Sequence, residues 1–452
     1  MAASRKSLPN SDVSEAAAAC LARHVPPHAC LTLALSGGLD SAVLLHLLAA
    51  RRASYPFSLK AVHVNHGLSP HAEKWEAFCQ HRCDALEVGL SIHRVRIGHA
   101  DPAGVEAAAR RERRAVFAGL DTGFLLTAHH QNDQAETLLL QLLRGSGPKG
   151  LAAMPEAQRV PGWHAVQLRP LLACSRSALR QYAQAYGLSW VEDESNQDPR
   201  YRRNVLRQRV IPELDRHFPG AAGTLARAAA LQAESAALMD DLAAIDSAQA
   251  IQDGRLDCAV LSGLSDSRAR NLLRYFIAQQ GWPLPNLRRL NEALHQLRDA
   301  QSAAGVCVGL GRVALRRYRR GAYLVPVRDP LPQTRRVWQG EAELVLEQLG
   351  KKVLLTPTRG AGLSRARLEA GHVELGVRAG RETLRLAVGG PHRTLKNLLQ
   401  EAAVPPWERD RLPVLLCNGA LVWAEGVGMD ADHLAAPDEP GISPQTRVTE
   451  RE

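Results

Sequence analysis

Apolar and polar positions alternate in two rhythms along the first half of the chain. Short apolar runs at Cys30–Leu35, Leu59–Val64, Leu90–Ile97 and Phe124–Thr127 have the length and flanks of buried strands. Between them apolar residues return at helical spacing: over 12–23, at Val43, Leu44, Leu47 and Leu48 after Asp40, over Pro70–Leu86 and over 104–114. Ala135, Leu138, Leu139, Leu142 and Leu143 carry the pattern from Asn132 to a stop at Gly145, and Ser175–Tyr186 is a helix that Ser175 can cap. Strands alternating with helices predict an α/β domain on a parallel sheet, whose ligands bind beyond the carboxyl ends of the strands.

Past Pro212 the rhythm changes. Ala221–Ala250 is a long Ala-rich stretch with Leu225, Leu238, Leu242 and Ile245 at the spacing of an amphipathic helix, and Ser267–Gly281 and Asn286–Gln296 add two more helices. Arg312–Arg320 interleaves Tyr318 with arginines, a pattern that suits an RNA-facing hairpin or a strand edge guarded by charge. A proline-containing linker at 330–333 leads to a β-rich tail, with strand character at Val353–Thr356, Val373–Val377 and Leu384–Ala387 and a short helix at Thr394–Ala403. The division expected is 1–216, an α/β nucleotide domain; 217–330, a helical substrate-handling domain; and 331–452, a linker and a small α+β domain. Thr446–Glu452 reads as a frayed end.

Charge nominates a partner. The formal net charge is +10 and the pI about 9.4, with arginine in surplus, which points to a polyanion such as nucleic acid. No run of about 18 uncharged apolar residues occurs, and MAASRKSLPN is not followed by an apolar signal core, so a cytoplasmic protein with no membrane contact is expected. The eight cysteines include no CxxC; Cys79 and Cys83 form a CxxxC, a poor zinc or redox motif, so reduced thiols are expected.

The chemistry concentrates in Ser36-Gly37-Gly38-Leu39-Asp40-Ser41, between the first strand and its helix. Two glycines let the main chain approach a ligand, and the helix points its free N–H groups at whatever anion sits there. Neither GxxxxGK nor GxGxxG can be written. Asp40 stands where a lysine would be expected, and a carboxylate beside phosphates makes electrostatic sense when Mg²⁺ bridges them. His63, Asn65 and His66 fall at the next strand end, where Asn65 and Gly67 could equally make a turn. Asp133 and Glu136 share one face of a helix's first turn, so they either favour its dipole or hold an ammonium group. Arg144–Gly150 reads as a flexible basic loop.

SGGLDS resembles the pyrophosphate loop of the N-type ATP pyrophosphatases, and further segments narrow the resemblance to the tRNA(Ile)-lysidine synthetase family. They are AVHVNHGLSPHAEKWEAFC, EAAAR ending at Arg110, AHHQNDQAETLLLQLLRGSGPKGLAAM, the stretches 190–196 and 201–207, and KNLLQEAAVPPWERDRLPVL, which contains Lys396. The resemblance implies a Rossmann-like PP-loop catalytic domain followed by two substrate- and tRNA-handling domains. ATP would lie on Ser36, Gly37, Gly38, Leu39, Asp40, Ser41, His63, Asn65 and His129, with Mg²⁺ on Asp40. Free L-lysine would be recognised by Arg110, Asp133 and Glu136, with Arg113 second to Arg110 near the amino acid or phosphates, while Arg203 would help bind or stabilise the departing pyrophosphate, with Asp193 and Asn196 beside it. Asp40, Asp133 and Arg203 form the implied catalytic set, and Arg144, Lys149, Arg316, Arg317 and Lys396 would meet tRNA.

Two departures stand out: Asn132-Asp133 replaces two consecutive acids, and Arg378-Ala379-Gly380-Arg381-Glu382 replaces a glycine-rich RxGGE-like stretch. The implied reaction adenylates the C2 oxygen of the wobble cytidine of tRNA(Ile), after which the lysine ε-amine displaces AMP. The family also suggests a homodimer. A tRNA thiolase on the same loop is the rival within the class, disfavoured by the missing CxxC; a tRNA-binding protein with a vestigial nucleotide site is the rival outside it.

Overall fold

A computed structural model describes residues 9–97, 104–192, 194, 198, 200–299, 305–329, 331 and 335–449. The chain divides into two compact units, Met1–Asp241 and Leu242–Glu452.

The first unit follows the expected alternation: α1 (Pro9–His24), β1 (Ala29–Ala34), α2 (Leu39–Arg51), β2 (Phe57–Asn65), α3 (Ala72–Ala85), β3 (Gly89–Arg94), α4 (Val105–Ala118), β4 (Phe124–Leu126), α5 (Gln131–Leu142), α6 (Pro148–Leu151), β5 (Ala157–Arg159), β6 (Val166–Leu168) and α7 (Arg176–Ala185). A short α8 (Arg202–Val205) runs through a π-helical turn at Leu206–Val210 into α9 (Ile211–His217) and then α10 (Ala221–Ala250). The six strands are ordered β3-β2-β1-β4-β6-β5, parallel except for the β5 edge. From β1 the chain winds outward through β2 and β3, then returns to β4 on the other side of β1. The crevice between the carboxyl ends of β1 and β4 is therefore the topological switch point, where open α/β sheets bind ligands.

What holds those strand ends in place is the packing beneath them. Leu31, Leu33, Leu44, Leu48, Leu126, Leu168 and Leu179 are all fully buried in one core. Each contributes about 1.5–3 kcal/mol of burial. Ser175 accepts a hydrogen bond from the Ala178 amide and caps α7, as its position in the sequence suggests.

The second unit holds two kinds of layer. After β7 (Ile251–Gln252) and β8 (Arg255–Asp257) come α11 (Cys258–Gly263), which the spacing did not show, and α12 (Asp266–Gln279) and α13 (Leu287–Asp299), the two helices expected there. With β9 (Cys307–Gly309), β10 (Val313–Tyr318) and β11 (Gly321–Pro326) the strands complete a sheet ordered β7-β8-β11-β10-β9, which periodicity had shown only as the RVALRRYRR hairpin. The tail runs β12 (Arg336–Val337), β13 (Glu343–Leu346), β14 (Lys351–Arg359), β15 (Leu363–Ser364), α14 (Arg365–Ala370), β16 (Val373–Val377), β17 (Thr383–Leu384), β18 (Arg393–Thr394), α15 (Leu395–Glu401), α16 (Pro406–Arg409), β19 (Pro413–Cys417), β20 (Ala420–Ala424), β21 (Gly428–Met429) and β22 (Pro440–Val448). Sheets β12-β16-β19-β20-β21 and β13-β14-β22-β15 give it its antiparallel character.

Four expectations change. The apolar face chosen for α10 is not the buried one: Leu238 and Ile245 are 69% and 67% exposed, while Ala229, Ala236, Ala243 and Ala250, every seventh residue, are buried. Alanine lets the helix approach its neighbours closely, which a leucine face would not. The 144–150 loop is largely ordered, because Pro148 starts α6 and the Lys149 ammonium pairs with Asp240 at 2.5 Å. Thr446 and Val448 are not frayed but pair with Val353 and Lys351 in β22. The strand expected at 384–387 shortens to a two-residue pairing.

Candidate active site

The loop after β1 is held from both sides before any ligand is considered. Gly37 has φ +83, and a Cβ there would stand 3.0 Å from Val191 Cγ2 and 3.1 Å from Cys79 Sγ. Its carbonyl accepts the Val191 amide at 3.0 Å, tying the loop to the 190s segment. Ser41 Oγ donates to the Gly38 carbonyl at 2.9 Å and lies 3.1 Å from Ser36 Oγ. No side chain caps α2 at Gly38, so the helix opens toward the crevice with its first amides uncapped.

Asp40 completes this cradle. One carboxylate oxygen, Oδ2, lies 3.5 Å from His130 Nε2, while Oδ1 is buried and without a hydrogen-bond partner. An orphaned carboxylate oxygen beside a phosphate-sized loop fits a hard divalent cation that takes its remaining oxygens from phosphate and water. No group of three or more His, Cys, Asp or Glu gathers around a metal-sized space among the described residues.

Across the switch point, β4 ends in His129 and His130. His130 is 2% exposed and its Nε2 is 3.5 Å from both Asp40 Oδ2 and Asp133 Oδ2. Burial works to lower its basicity, but the Asp40 hydrogen bond and the charges of Asp133 and Asp40 prevail and raise it. His129 goes the other way: burial, with help from the charges of Arg169, Arg203 and Arg113 against that of Asp133, pushes it down to about 4.

The expected lysine-binding acids are not open. Arg203 donates Nη2 to Asp133 at 2.9 Å and Nε to Glu136 at 2.5 Å; Arg207 donates Nη2 to Asp133 at 3.1 Å and Nε to Glu136 at 2.6 Å. The reason is burial: Glu136 is 1% and Asp133 7% exposed, and two carboxylates cannot be desolvated together without compensating charge. Arg203, expected on pyrophosphate, bonds both carboxylates, and Arg207 is a partner that the motif reading passed over. Its one sequence signal was spacing, four residues beyond Arg203 and so on the same helical face. Beside this lattice opens a pocket of about 220 Å³ lined by Asn132, Glu136, Arg176, Arg207, Ile211, Pro212 and Asp215. Asn132 Oδ1 accepts the Arg176 amide at 3.1 Å, a structural task at the start of α7.

The other expected residues separate. His63 and Asn65 are buried behind the loop: His63 Nδ1 bonds the Leu35 carbonyl at 2.9 Å, and Asn65 bonds Glu76 at 2.6 Å and the Gly67 amide at 2.7 Å. Asn65 therefore makes the turn. Arg110 is exposed on α4, and its charge acts on buried Arg169. Asp193 and Asn196 lie outside the described residues. Of the tRNA candidates, Arg144 and Lys396 are exposed. Arg316 instead sits 5.7 Å over the Trp407 ring, and Arg317 donates to the Leu297 carbonyl at 2.7 Å. These two arginines brace the second unit, because Trp407 also meets Tyr318 and Tyr323 edge-on.

A glycine loop opening a helix at the switch point, with an acid in place of the Walker lysine, defines a PP-loop nucleotide-binding domain, and the PP-loop domain family model matches residues 10–214. A TilS substrate binding domain model matches 256–323 and a TilS substrate C-terminal domain model 373–447. The chain belongs to the tRNA(Ile)-lysidine synthase family. It is 40% identical to the tRNA(Ile)-lysidine synthase of Nitrosomonas europaea over 443 residues, covering 97% of this chain and 96% of that one. With that of Aromatoleum aromaticum it shares 43% over 423 residues, 93% and 98% of the two chains. A solved tRNA thiolase of Methanococcus maripaludis, with an iron–sulfur cluster, superposes at a TM-score of 0.41 with 18% identity, covering 48% of this chain and 77% of that one. No helix among the described residues is long and apolar enough to cross a membrane.

Proposed function

We propose that this protein ligates free L-lysine to C2 of the wobble cytidine of tRNA(Ile) bearing a CAU anticodon, using ATP and releasing AMP and pyrophosphate. The observation that carries the reading is the juxtaposition of the uncapped α2 amides and Asp40 with the His130–Asp133 cluster across one crevice. In the first step the α2 amides and Ser41 hold the triphosphate, and the cytidine C2 oxygen attacks its innermost phosphorus. The C2 oxygen becomes a leaving group only when esterified in this way. Mg²⁺ on Asp40 would neutralise charge building on the departing pyrophosphate.

The second step needs lysine as a free amine beside the adenylated base. The 220 Å³ pocket supports a zwitterionic occupant: Arg176 for a carboxylate, Ile211 and Pro212 for an aliphatic chain and Asp215 for an ammonium group. Arg203 and Arg207 would act chiefly by fixing Asp133 and Glu136 in place. Arg110, Arg144 and Lys396, exposed and basic, are the candidates for RNA phosphate. Residues 1–216 would carry the chemistry, and 217–330 and 331–452 would grip the tRNA, in the cytoplasm; light scattering would test the homodimer.

Incubation with tRNA, radiolabelled lysine and ATP tests the proposal. Lysine must enter tRNA with one AMP per lysine; ADP and phosphate as products, or tight tRNA binding with no turnover, would overturn it.

A further inference from the structure

We infer that His129 is held as the tautomer with its hydrogen on Nδ1, leaving Nε2 as an acceptor for a substrate N–H, and that Thr127, Gln167 and Arg169 are the positioning residues that impose it. The inference rests on the reading above only for the identity of the substrates.

The order of donors starts at Arg169, which is 5% exposed at the end of β6. A guanidinium can only donate. Its Nη1 bonds the Pro155 carbonyl at 2.7 Å, and its Nη2 bonds Gln158 Oε1 at 3.1 Å and Gln167 Oε1 at 2.8 Å. Gln167 must therefore turn its oxygen to Arg169 and its NH₂ to Thr127, where Nε2 stands 3.3 Å from Oγ1. Thr127 Oγ1 also lies 3.3 Å from the Leu168 carbonyl and 3.0 Å from His129 Nδ1. The hydroxyl has one hydrogen. If it goes to the carbonyl, all three contacts are made, provided that Nδ1 carries a hydrogen of its own.

A ring pushed down to about 4 is neutral at physiological pH, so a hydrogen on Nδ1 leaves Nε2 bare. Nε2 is the ring nitrogen that Thr127 does not contact, and the charges of Asp133 and Arg203 act on the ring. A bare nitrogen there accepts an N–H from an amine or an exocyclic amino group and repels a carbonyl oxygen. Three substrate groups have that chemistry: the lysine amine, the adenine amino group and the cytosine amino group.

Two measurements on the full-length protein test it. Long-range ¹H–¹⁵N spectra of ¹⁵N-histidine-labelled protein, with His129 assigned by its loss in His129→Asn, should show the neutral Nδ1–H pattern in wild type and in Thr127→Ser. Thr127→Val should lose it; an Nε2–H pattern in wild type overturns the inference. In steady state, His129→Asn should raise KM for one of lysine, ATP or tRNA by at least about tenfold, and His129→Gln, whose Oε1 overlays Nε2, should recover most of the loss. The substrate affected identifies the donor. Equal losses for all three substrates, or none, overturn it. A wild type that incorporates no lysine defeats the proposed ligation but leaves the spectroscopic result standing.

Discussion

Arg207 and Glu136 meet at 2.6 Å, Nε to Oε1, from positions 71 residues apart. The carboxylate is 1% exposed and the guanidinium 25%, so the acid depends on the arginine more than the reverse. Glu136→Gln leaves two arginines facing a neutral group. The expected cost is about 3 kcal/mol, read in calorimetry as a fall of roughly 6–12 °C in the transition of the first unit. In a double-mutant cycle, Arg207→Met should couple to it by more than about 1 kcal/mol; simple additivity would show that the pair is ornamental.

Asp40 carries an orphaned oxygen toward the phosphate loop. Asp40→Asn should cut tRNA-dependent pyrophosphate release by at least about 100-fold, with the far-UV spectrum unchanged. Chelating divalent cations from wild type should do the same, and undiminished release in either case contradicts the assignment.

Gly37 has φ +83 and packs against Val191 and Cys79. Gly37→Ala incurs about 1–2 kcal/mol of left-handed backbone strain and also presses its Cβ to 3.0–3.1 Å from the Val191 and Cys79 side chains, which must give way. KM for ATP should rise about tenfold or more. Gly187→Ala, at φ +59 with nothing within 4 Å, should lose stability while leaving that KM alone.

Glu76 supplies a pH dependence. The Arg94 hydrogen bond, with help from Asn65, overcomes burial and lowers its carboxyl from 4.5 to about 2. A depressed folded-state value means stability that is present above the unfolded value and lost as pH falls through the folded one. Wild type should therefore exceed Glu76→Gln in Tm by a constant margin above about pH 6, with the margin closing between about pH 4.5 and 2. A margin that persists at pH 2 would mean that the side chain matters for its shape alone.

Local features were legible because they are local. Leu31 and Leu33 mark β1, Leu44 and Leu48 mark α2, and SGGLDS between them marks an anion cradle from residue type alone. Partnerships across the fold were not. Nothing near Glu136 in sequence announces Arg207, and nothing in RVALRRYRR says that Arg316 will lie on Trp407 rather than face solvent. In α10, hydrophobicity picked out the leucines, while packing selected the smallest side chains, so the buried stripe was alanine. The Thr127–Gln167–Arg169 line left no motif, since it joins two strand ends through atoms whose identity matters only in three dimensions.

The widened turn at Leu206–Val210 follows Arg203, contains Arg207, which also reaches inward, and leads into the buried Ile211. A chain one residue shorter there would rotate these side chains by about 100° relative to one another. Substitution at the outward Arg209 should accordingly cost less than a deletion or insertion: in this segment, length matters more than the identity of an exposed side chain.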